Sequence, residues 1–239
     1  MALSYHFQLR RSLPERDKLH VLHSAVEAAG DMAEIQILGV IGGPTMAKRI
    51  SAPLDEATVA ELHAGDEVVI DGTVYVARDA AHKRMVELLD SGQPLPFDPK
   101  GQIIYYMGPA PARPGRVIGS AGPTTSGRMD RYAPRLMATG IKAMIGKGSR
   151  SLSVREAMKE YKAVYLAAIG GAGALIARSI VANEIIAWEE LGAEALRRLT
   201  VREFPAIVID DIYGNDLYEQ AKMQWGQSNT AAVAPQKTS

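Results

Sequence analysis

The stretch from Ile141 to Gly173 reads IKAMIGKGSR SLSVREAMKE YKAVYLAAIG GAG and alternates two apolar patterns. Ile141–Ile145 and Ala163–Ile169 are short β-like runs, and Ser153–Tyr161 between them carries apolar residues at helical spacing. Each β-like run ends in a loop of small residues. Strand, loop and helix in succession favour parallel strands. The stretch therefore predicts an α/β fold whose ligands collect at the carboxyl ends of the strands.

Residues typical of helix starts indicate where the helix between the two β-like runs begins. Ser153 and Glu156 have the spacing of a capping box, which predicts the start of the helix that follows. No loop matches the P-loop or the Gly-x-Gly-x-x-Gly spacing, so a nucleotide site is not indicated. The remaining predicted elements are a helix through Leu175, Ile176 and Ile180 and strands at Glu184–Trp188 and Pro205–Asp210.

The segment Ser120–Tyr132, SAGPTTSGRMDRY, also has the pattern of a small-residue loop between a strand and a helix, and it precedes the stretch Ile141–Gly173 in the chain. Arg116–Gly119 predicts a strand before it, and apolar residues at helical spacing follow it up to Gly140, although Pro134 falls inside that helix. The glycines allow close backbone approach, and a helix start attracts anions. The segment is a candidate ligand loop. The alternative is N-capping by Thr125 or Ser126 with Arg128 as a surface charge.

Upstream, Val68–Ile70 and Thr73–Val76 flank Asp71-Gly72, which predicts a β-hairpin. The second strand leads directly into a helix that Asp79 can cap and that ends near Gly92. Arg78 would then lie at a strand end, where a salt-bridged surface position is the alternative to a ligand contact. We interpret His82 as a helix-face histidine bonded to the backbone.

Composition narrows the class of protein. Lysine plus arginine equals aspartate plus glutamate, 27 against 27, which argues against a general nucleic-acid binder. No run of about 18 apolar residues is present, and the N-terminus has charges where a signal peptide would have its apolar core, so we expect a cytoplasmic protein without a membrane span or signal peptide. The sequence has no cysteine, so any iron–sulfur cluster with which it works must be held by another chain.

The sequence predicts that the chain is divided into three parts. Residues 1–45 form an N-terminal extension with one amphipathic helix and a short β-like run, Ala33–Val40. Residues 46–225 form the main domain, and residues 226–239 form a flexible tail. The helix of the extension could pack on the domain's own core or on a partner, and the first arrangement is favoured because an isolated amphipathic helix must bury its apolar face.

Three cations are predicted at three strand ends: Arg78, Arg128 and Lys147. Such a set suits a small dianion with two carboxylates, and Thr124 and Thr125 offer hydroxyl groups beside it. The pattern therefore predicts a dicarboxylate site.

Five motifs make a family resemblance specific, and they are Arg78–His82, Gly122–Asp130, Ile145–Gly148, Gly170–Ala172 and Phe204–Ala206. In this order they resemble the β subunit, or C-terminal domain, of class I iron–sulfur fumarases, and the likeness extends from about Ile50 to about Tyr218. L-tartrate dehydratase β subunits look similar. The sequences Ser-Gly-Arg-Met-Asp and Gly-Lys-Gly-Ser-Arg resemble the fumarases more closely than the L-tartrate dehydratases.

The resemblance implies a swivelling β/β/α domain, with a β-hairpin region followed by strand-loop-helix units. It implies the β component of a hydro-lyase that interconverts malate and fumarate, in a hetero-oligomer with a cysteine-bearing α subunit. A four-iron four-sulfur cluster on that partner would act as Lewis acid on the departing hydroxyl, and this chain would hold no metal ligand. Thr124 would be the base, and the substrate would be bound by Arg78, Thr125, Arg128 and Lys147.

Two further functions stay open. The chain could be a catalytically silent module that binds a dicarboxylate, or a structural partner subunit whose loops only cap a cluster site on another chain. Pocket shape decides between fumarate, tartrate and methylated analogues, and sequence does not define it.

Overall fold

The computed structural model describes residues 47–169 and 171–223. Its strands are β1 Lys48–Ala52, β2 Glu67–Val76, β3 Ile103–Tyr105, β4 Ala143–Gly146, β5 Val164–Ala167, β6 Ile180–Ala187 and β7 Leu196–Asp210. Its helices are α1 Glu56–Ala60, α2 Asp79–Asp90, α3 Ala133–Met137, α4 Leu152–Tyr161 and α5 Gly173–Ile176, followed by a helical segment at 217–223. Single 3-10 turns occupy Ser126–Met129, Ala177–Ser179 and Glu189–Glu194. The elements predicted within residues 1–45, Gly170 and the tail 226–239 lie outside the described residues.

The strands form one sheet in the order β1-β2-β3-β4-β5-β7-β6, with a further pairing between β2 and β7. Strands β1 to β5 pair in parallel, and the strand-loop-helix pattern predicted this for β4 and β5. The long strand β7 pairs antiparallel with β5, β2 and β6. Because β7 joins β5 back to β2, strands β2, β3, β4, β5 and β7 close into a barrel, and β1 and β6 extend from it.

Alternating side chains divide the apolar residues into two cores. On β3, Ile103 and Tyr105 belong to one cluster, whereas Ile104 and the following Tyr106 belong to the other. The first cluster takes its residues from the same face of every barrel strand and lies inside the barrel. The second includes residues of α2, α3 and α4 and lies between the outer face of the barrel and these helices. Both faces of the central strands are therefore buried, which explains their nearly continuous apolar sequences.

The predicted hairpin at Asp71-Gly72 is wrong, because Glu67–Val76 is one continuous strand. The register between β2 and β7 shifts after Ile70, and Glu203 on β7 takes a φ of 51°. The Glu203 N–H donates to Asp71 Oδ1 at 2.9 Å, and Gly72 has a φ of 97°. Asp71 and Gly72 therefore belong to a β-bulge and not to a turn. The strand stays continuous because β1 pairs with one of its edges and β7 with the other.

Several predicted boundaries shift. Arg116–Gly119 forms no strand, and Ile180 begins β6 instead of ending a helix. The predicted strand Pro205–Asp210 is the end of the longer β7. Pro134 lies in the first turn of the short α3, where a missing N–H breaks no helical bond, so the conflict noted in the sequence disappears.

Two predicted helix caps are wrong. Ser151 rather than Ser153 holds the N-cap position of α4. The Ser151 N–H donates to Asp130 Oδ2 at 2.7 Å, so an acceptor from a distant loop replaces a local capping box. Arg78 rather than Asp79 precedes α2. None of the helices within 47–169 and 171–223 has the length and apolar character needed to cross a bilayer.

Candidate functional site

The segment Pro123–Ser126 is inserted between the carboxyl ends of β3 and β4. Pro123 forms an antiparallel bridge with Met107 beyond β3, and Thr125 forms a parallel bridge with Lys147 beyond β4. The Thr124 N–H donates to Tyr106 O at 2.8 Å, and the Lys147 N–H donates to Thr124 O at 3.2 Å. Backbone hydrogen bonds on both sides therefore hold Thr124 beside Lys147, at the edge of the barrel where parallel strands diverge.

A glycine allows this insertion. A Cβ added to Gly146 would lie 1.9 Å from Ser126 Oγ and 3.1 Å from the Tyr106 ring, so only glycine lets the segment approach β4. Thr125 occupies the N-cap position of the 3-10 turn but makes no side-chain cap hydrogen bond. Its side chain is exposed, whereas Ser126 is buried. The capping alternative for Thr125 is therefore not realised.

The buried hydroxyl groups of Ser126 and Tyr165 hold the segment Pro123–Ser126 in place by hydrogen bonds. Tyr165 OH donates to Gly148 O at 2.9 Å, so Ser126 Oγ is the donor in its 2.9 Å hydrogen bond to Tyr165 OH. Ser126 and Tyr165 are both fully buried. These contacts join the loop after β4, the inserted segment and the outer face of β5.

A buried arginine, Arg150, packs against the ring of Tyr165. The side chain of Arg150 is 0% exposed, and its Nε donates to Asp130 Oδ1 at 2.7 Å. Its guanidinium carbon lies 5.3 Å from the centre of the Tyr106 ring and 5.0 Å from that of Tyr165. Burial opposes the charge, but Tyr106 and Asp130 outweigh it, so the pKa of Arg150 stays above its ordinary value.

Arg78 and Arg128 meet at the carboxylate of Asp79. Arg128 Nε donates to Asp79 Oδ1 at 2.9 Å, and Arg78 Nη2 lies 3.8 Å from Asp79 Oδ2. Arg78 also pairs with Glu194 Oε1 at 3.3 Å. The Arg78 side chain is 21% exposed and that of Arg128 is 49% exposed. Both guanidinium groups are therefore oriented by acids and still reach solvent.

Two acids that the sequence analysis did not assign to the site lie among the predicted cations. Asp79 and Glu194 place two carboxylates beside Arg78 and Arg128. Lys147 is partly exposed and forms no ion pair with any described residue, so it contributes an uncompensated charge. Lys147 and Thr125 are bridge partners, and Arg128 follows Thr125 by three residues. Arg78 and Lys147 thus follow strands β2 and β4, whereas Arg128 lies in the 3-10 turn after the inserted segment, because the strand predicted before it does not form.

Sequence reasoning missed the groups beneath the segment: Asp130, Arg150, Ser126 and Tyr165. Asp130 ends the motif Gly122–Asp130 and Arg150 ends the run Gly-Lys-Gly-Ser-Arg, and the pattern assigned neither a partner. Their spacing of 20 residues crosses α3 and β4, so no local rule pairs them. The only available signal was a charged residue at the end of each motif.

His82 was interpreted as a helix-face histidine bonded to the backbone, and this is confirmed. His82 Nδ1 lies 2.9 Å from Arg78 O, and the residue is 0% exposed. Its ring packs edge-on against Tyr106. Desolvation lowers the pKa of His82 to about 4, so the ring is neutral at physiological pH and serves packing beside Arg78.

Asp210 is a buried carboxyl group on the far side of Tyr165. It is the β-sheet partner of Tyr165, is 2% exposed, and neither of its oxygens has a hydrogen-bond partner among the described residues. Burial, together with the neighbouring Asp216, raises the pKa of Asp210 to about 7. Because ionised Asp210 is disfavoured only in the folded state, the free energy of unfolding should fall as pH rises from about 4 to about 7.

We expect Asp210→Asn to remove this pH dependence. Relative to the variant, the wild-type chain should lose roughly 3 kcal/mol of stability between about pH 5 and about pH 8, because the remaining part of the loss occurs below pH 5. Urea unfolding at both pH values measures the difference. The control is Asp90→Asn, because the Asp90 side chain is 64% exposed and its substitution should leave the profile unchanged. Parallel profiles for the wild type and Asp210→Asn would contradict the assignment.

Residues 35–221 match the family described as Fumarase C-terminus. The chain is 39% identical over 175 residues to Fumarate hydratase 2 of Leishmania major, covering 72% of this chain and 31% of the relative. It is 39% identical over 178 residues to Fumarate hydratase class I, aerobic, of Escherichia coli, covering 73% of this chain and 32% of the relative. The chain thus spans about a third of these two relatives. It is also 39% identical over 173 residues to the Putative L(+)-tartrate dehydratase subunit beta of Methanocaldococcus jannaschii, covering 70% of this chain and 89% of that protein.

Proposed function

Because the chain belongs to the fumarase C-terminus family, we propose that it is the β component of a hydro-lyase that interconverts malate and fumarate. The observation that carries this proposal is the backbone pairing of Thr124 with Lys147 at the barrel edge, beside the Arg78–Asp79–Arg128 group. The names of the relatives from Leishmania major and Escherichia coli support the reaction. We also propose that the closed barrel with its helices is the swivelling β/β/α domain.

In this proposal Arg78, Thr125, Arg128 and Lys147 bind the two carboxylates of the substrate. Asp79 restrains both guanidinium groups before substrate arrives, which lowers the entropic cost of binding. Lys147 has no ion pair among the described residues, so its ammonium group is free to pair with a carboxylate. Negative charge builds up on a carboxylate when the adjacent carbon loses its proton, and nearby cations stabilise that charge most strongly in the transition state.

Thr124 is proposed as the base that takes this proton. A threonine hydroxyl is a weak base unless positive charge stabilises its alkoxide. The hydrogen bonds that hold Thr124 beside Lys147 support such a role, because they fix the threonine next to an unpaired cation. Loss of the proton from one carbon and of hydroxide from its neighbour releases fumarate and water, and this chain supplies the proton-accepting half of that reaction.

The residues of this chain do not fit an iron–sulfur cluster. The sequence has no cysteine, and residues 47–169 and 171–223 contain no group of three His, Asp or Glu arranged to hold a metal ion. The name of the Methanocaldococcus jannaschii relative identifies that protein as a β subunit. We propose that a cysteine-bearing α subunit holds the four-iron four-sulfur cluster and forms a cytoplasmic hetero-oligomer with this chain.

The runner-up is the β subunit of an L-tartrate dehydratase. It is favoured by one observation, the match along 89% of the Methanocaldococcus jannaschii protein, compared with about a third of the fumarate hydratases. A complex reconstituted with its α subunit should be assayed with malate and L-tartrate in parallel. Higher kcat/KM for L-tartrate would replace the fumarase proposal, because one hydroxyl distinguishes the two substrates.

We expect the purified chain alone to bind no cluster and to show no hydratase activity, because it has no cysteine thiolate to ligate iron. Anaerobic reconstitution with iron and sulfide, followed by absorbance spectroscopy and iron analysis, tests this. The same treatment of a complex with the α subunit is the control and should yield both the cluster and fumarate hydration. A stoichiometric cluster on the isolated chain would overturn the two-subunit proposal.

A further inference from the structure

A cavity lies beside the rim that carries Arg78. It has a volume of about 420 Å³ and is bounded on one side by Pro109–Ala112 and Ile118. Its other side is formed by Asn183 on β6, the turn at Gly192 and Ala193, and Arg197 on β7. Pro109–Ala112 and Ile118 are apolar, and Arg197 is the single charged residue among the described residues that line the cavity.

Arg197 has no carboxylate partner among the described residues. Its Nη2 donates to Gly192 O at 3.1 Å and its Nη1 to Asn183 Oδ1 at 3.4 Å, both neutral acceptors. Its Nε is buried without a hydrogen-bond partner in the described part of the chain. Burial lowers the pKa of Arg197. A guanidinium group offers five N–H donors, so most of its capacity is unused.

The neighbouring arginine behaves differently. Arg198, next on the same strand, pairs with Glu184 on β6 through Nη2 at 2.6 Å and faces solvent. Arg197 thus lies without a carboxylate partner at the wall of a concave space that Pro109–Ala112 and Ile118 also line, while its neighbour is neutralised by a carboxylate. Leaving a partly buried cation unpaired costs free energy, and a bound anion would recover it.

The cavity adjoins the proposed substrate site but is lined by other residues. A Cβ added to Gly108 would lie 2.7 Å from Arg78 Nη1 and 3.3 Å from Ala193 O, so Arg78 is close to the turn that lines the cavity, whereas none of Arg78, Thr124, Arg128 and Lys147 is among the described residues that line it. Glu194 on this turn is engaged elsewhere, because its Oε1 pairs with Arg78 and its Oε2 accepts from the Ala80 N–H at 2.9 Å. None of the described residues that line the cavity is an acid that could compete for Arg197.

We propose that this cavity binds a small monocarboxylate, with its carboxylate on Arg197 and its short apolar chain against Pro109–Ala112 and Ile118. The planar guanidinium matches a carboxylate with two parallel hydrogen bonds. The volume falls within the range of small-molecule sites, and the combination of one charge with apolar walls selects one anionic group rather than two. The ligand class therefore differs from the dicarboxylate proposed at the rim.

The test is a titration of the isotope-labelled chain with butanoate, followed through the backbone amide signals. We expect saturable shifts at Asn183, Gly192 and Ala193 with a Kd on the order of 1 mM, as for a ligand of few atoms. Butanamide, which has the same shape without the charge, should not bind. Arg197→Met should weaken butanoate binding by at least about tenfold, whereas the matched variant Arg198→Met should bind normally.

The outcomes separate this proposal from the proposed function. The titration needs neither the α subunit nor malate, and Lys147→Met should leave butanoate binding unchanged. Absence of saturable shifts in the wild-type chain, equal binding of butanamide, or unchanged binding by Arg197→Met would each overturn the proposal. If Arg197→Met fails to fold by circular dichroism, Arg197→Lys replaces it, and its point charge without the planar fork should weaken binding by a smaller factor.

Discussion

Thr124→Val should lower kcat for malate dehydration by about a hundredfold or more in the complex with the α subunit, with little change in KM. Valine keeps the shape of threonine and removes only the hydroxyl group. The backbone bonds that hold Thr124, to Tyr106 O and from the Lys147 N–H, do not involve the side chain and should survive. A base acts only in the transition state, so its loss affects turnover and not ground-state binding. Steady-state kinetics in both directions measures the effect.

Two variants make this result interpretable. Thr125→Val, one residue along the same segment, removes an exposed hydroxyl proposed to contact substrate, so it should raise KM more than it lowers kcat. Arg128→Lys keeps a charge near Asp79 but loses the planar fork, and it should raise KM as well as reduce kcat. A Thr124→Val complex with near-normal turnover would eliminate Thr124 as the base and direct the search to the partner subunit.

Arg150→Met should destabilise the chain by about 3–5 kcal/mol, the cost typical of breaking a buried ion pair from one side. Asp130 would keep the Ser151 N–H but lose the guanidinium, and its side chain is 16% exposed. The stacking of Arg150 with Tyr106 and Tyr165 would also be lost. Urea unfolding of the chain by itself measures the change, independently of any partner or activity.

The matched control is Arg135→Met. Arg135 pairs with Asp90 at 3.4 Å, and both side chains are at least half exposed, so its loss should cost less than about 1 kcal/mol. The double variant Arg150→Met, Asp130→Asn should recover part of the stability, because it removes the unpaired charge. A loss in Arg150→Met no larger than that in Arg135→Met would show that the buried pair contributes little.

Local patterns in the sequence determined the class of fold and the neighbourhood of the candidate site. The spacing of apolar residues distinguished the strands β4 and β5 from the helix α4 between them. The order of strand, loop and helix along the chain was then enough to predict that the two strands pair in parallel. The positions of Arg78 and Lys147 just beyond β2 and β4 followed from the same local patterns. These inferences succeeded because each depends on residues close together in the chain.

Tertiary structure decided what depends on residues far apart in the chain. Asp71-Gly72 satisfies every local rule for a hairpin, but pairing with β1 on one side and β7 on the other keeps the strand continuous and turns the same residues into a bulge. Likewise the sequence could not show that Arg150 is buried against Asp130, or that Asp79 joins Arg78 to Arg128. A side chain's charge is encoded locally, whereas its burial and its partner depend on which strands close the barrel.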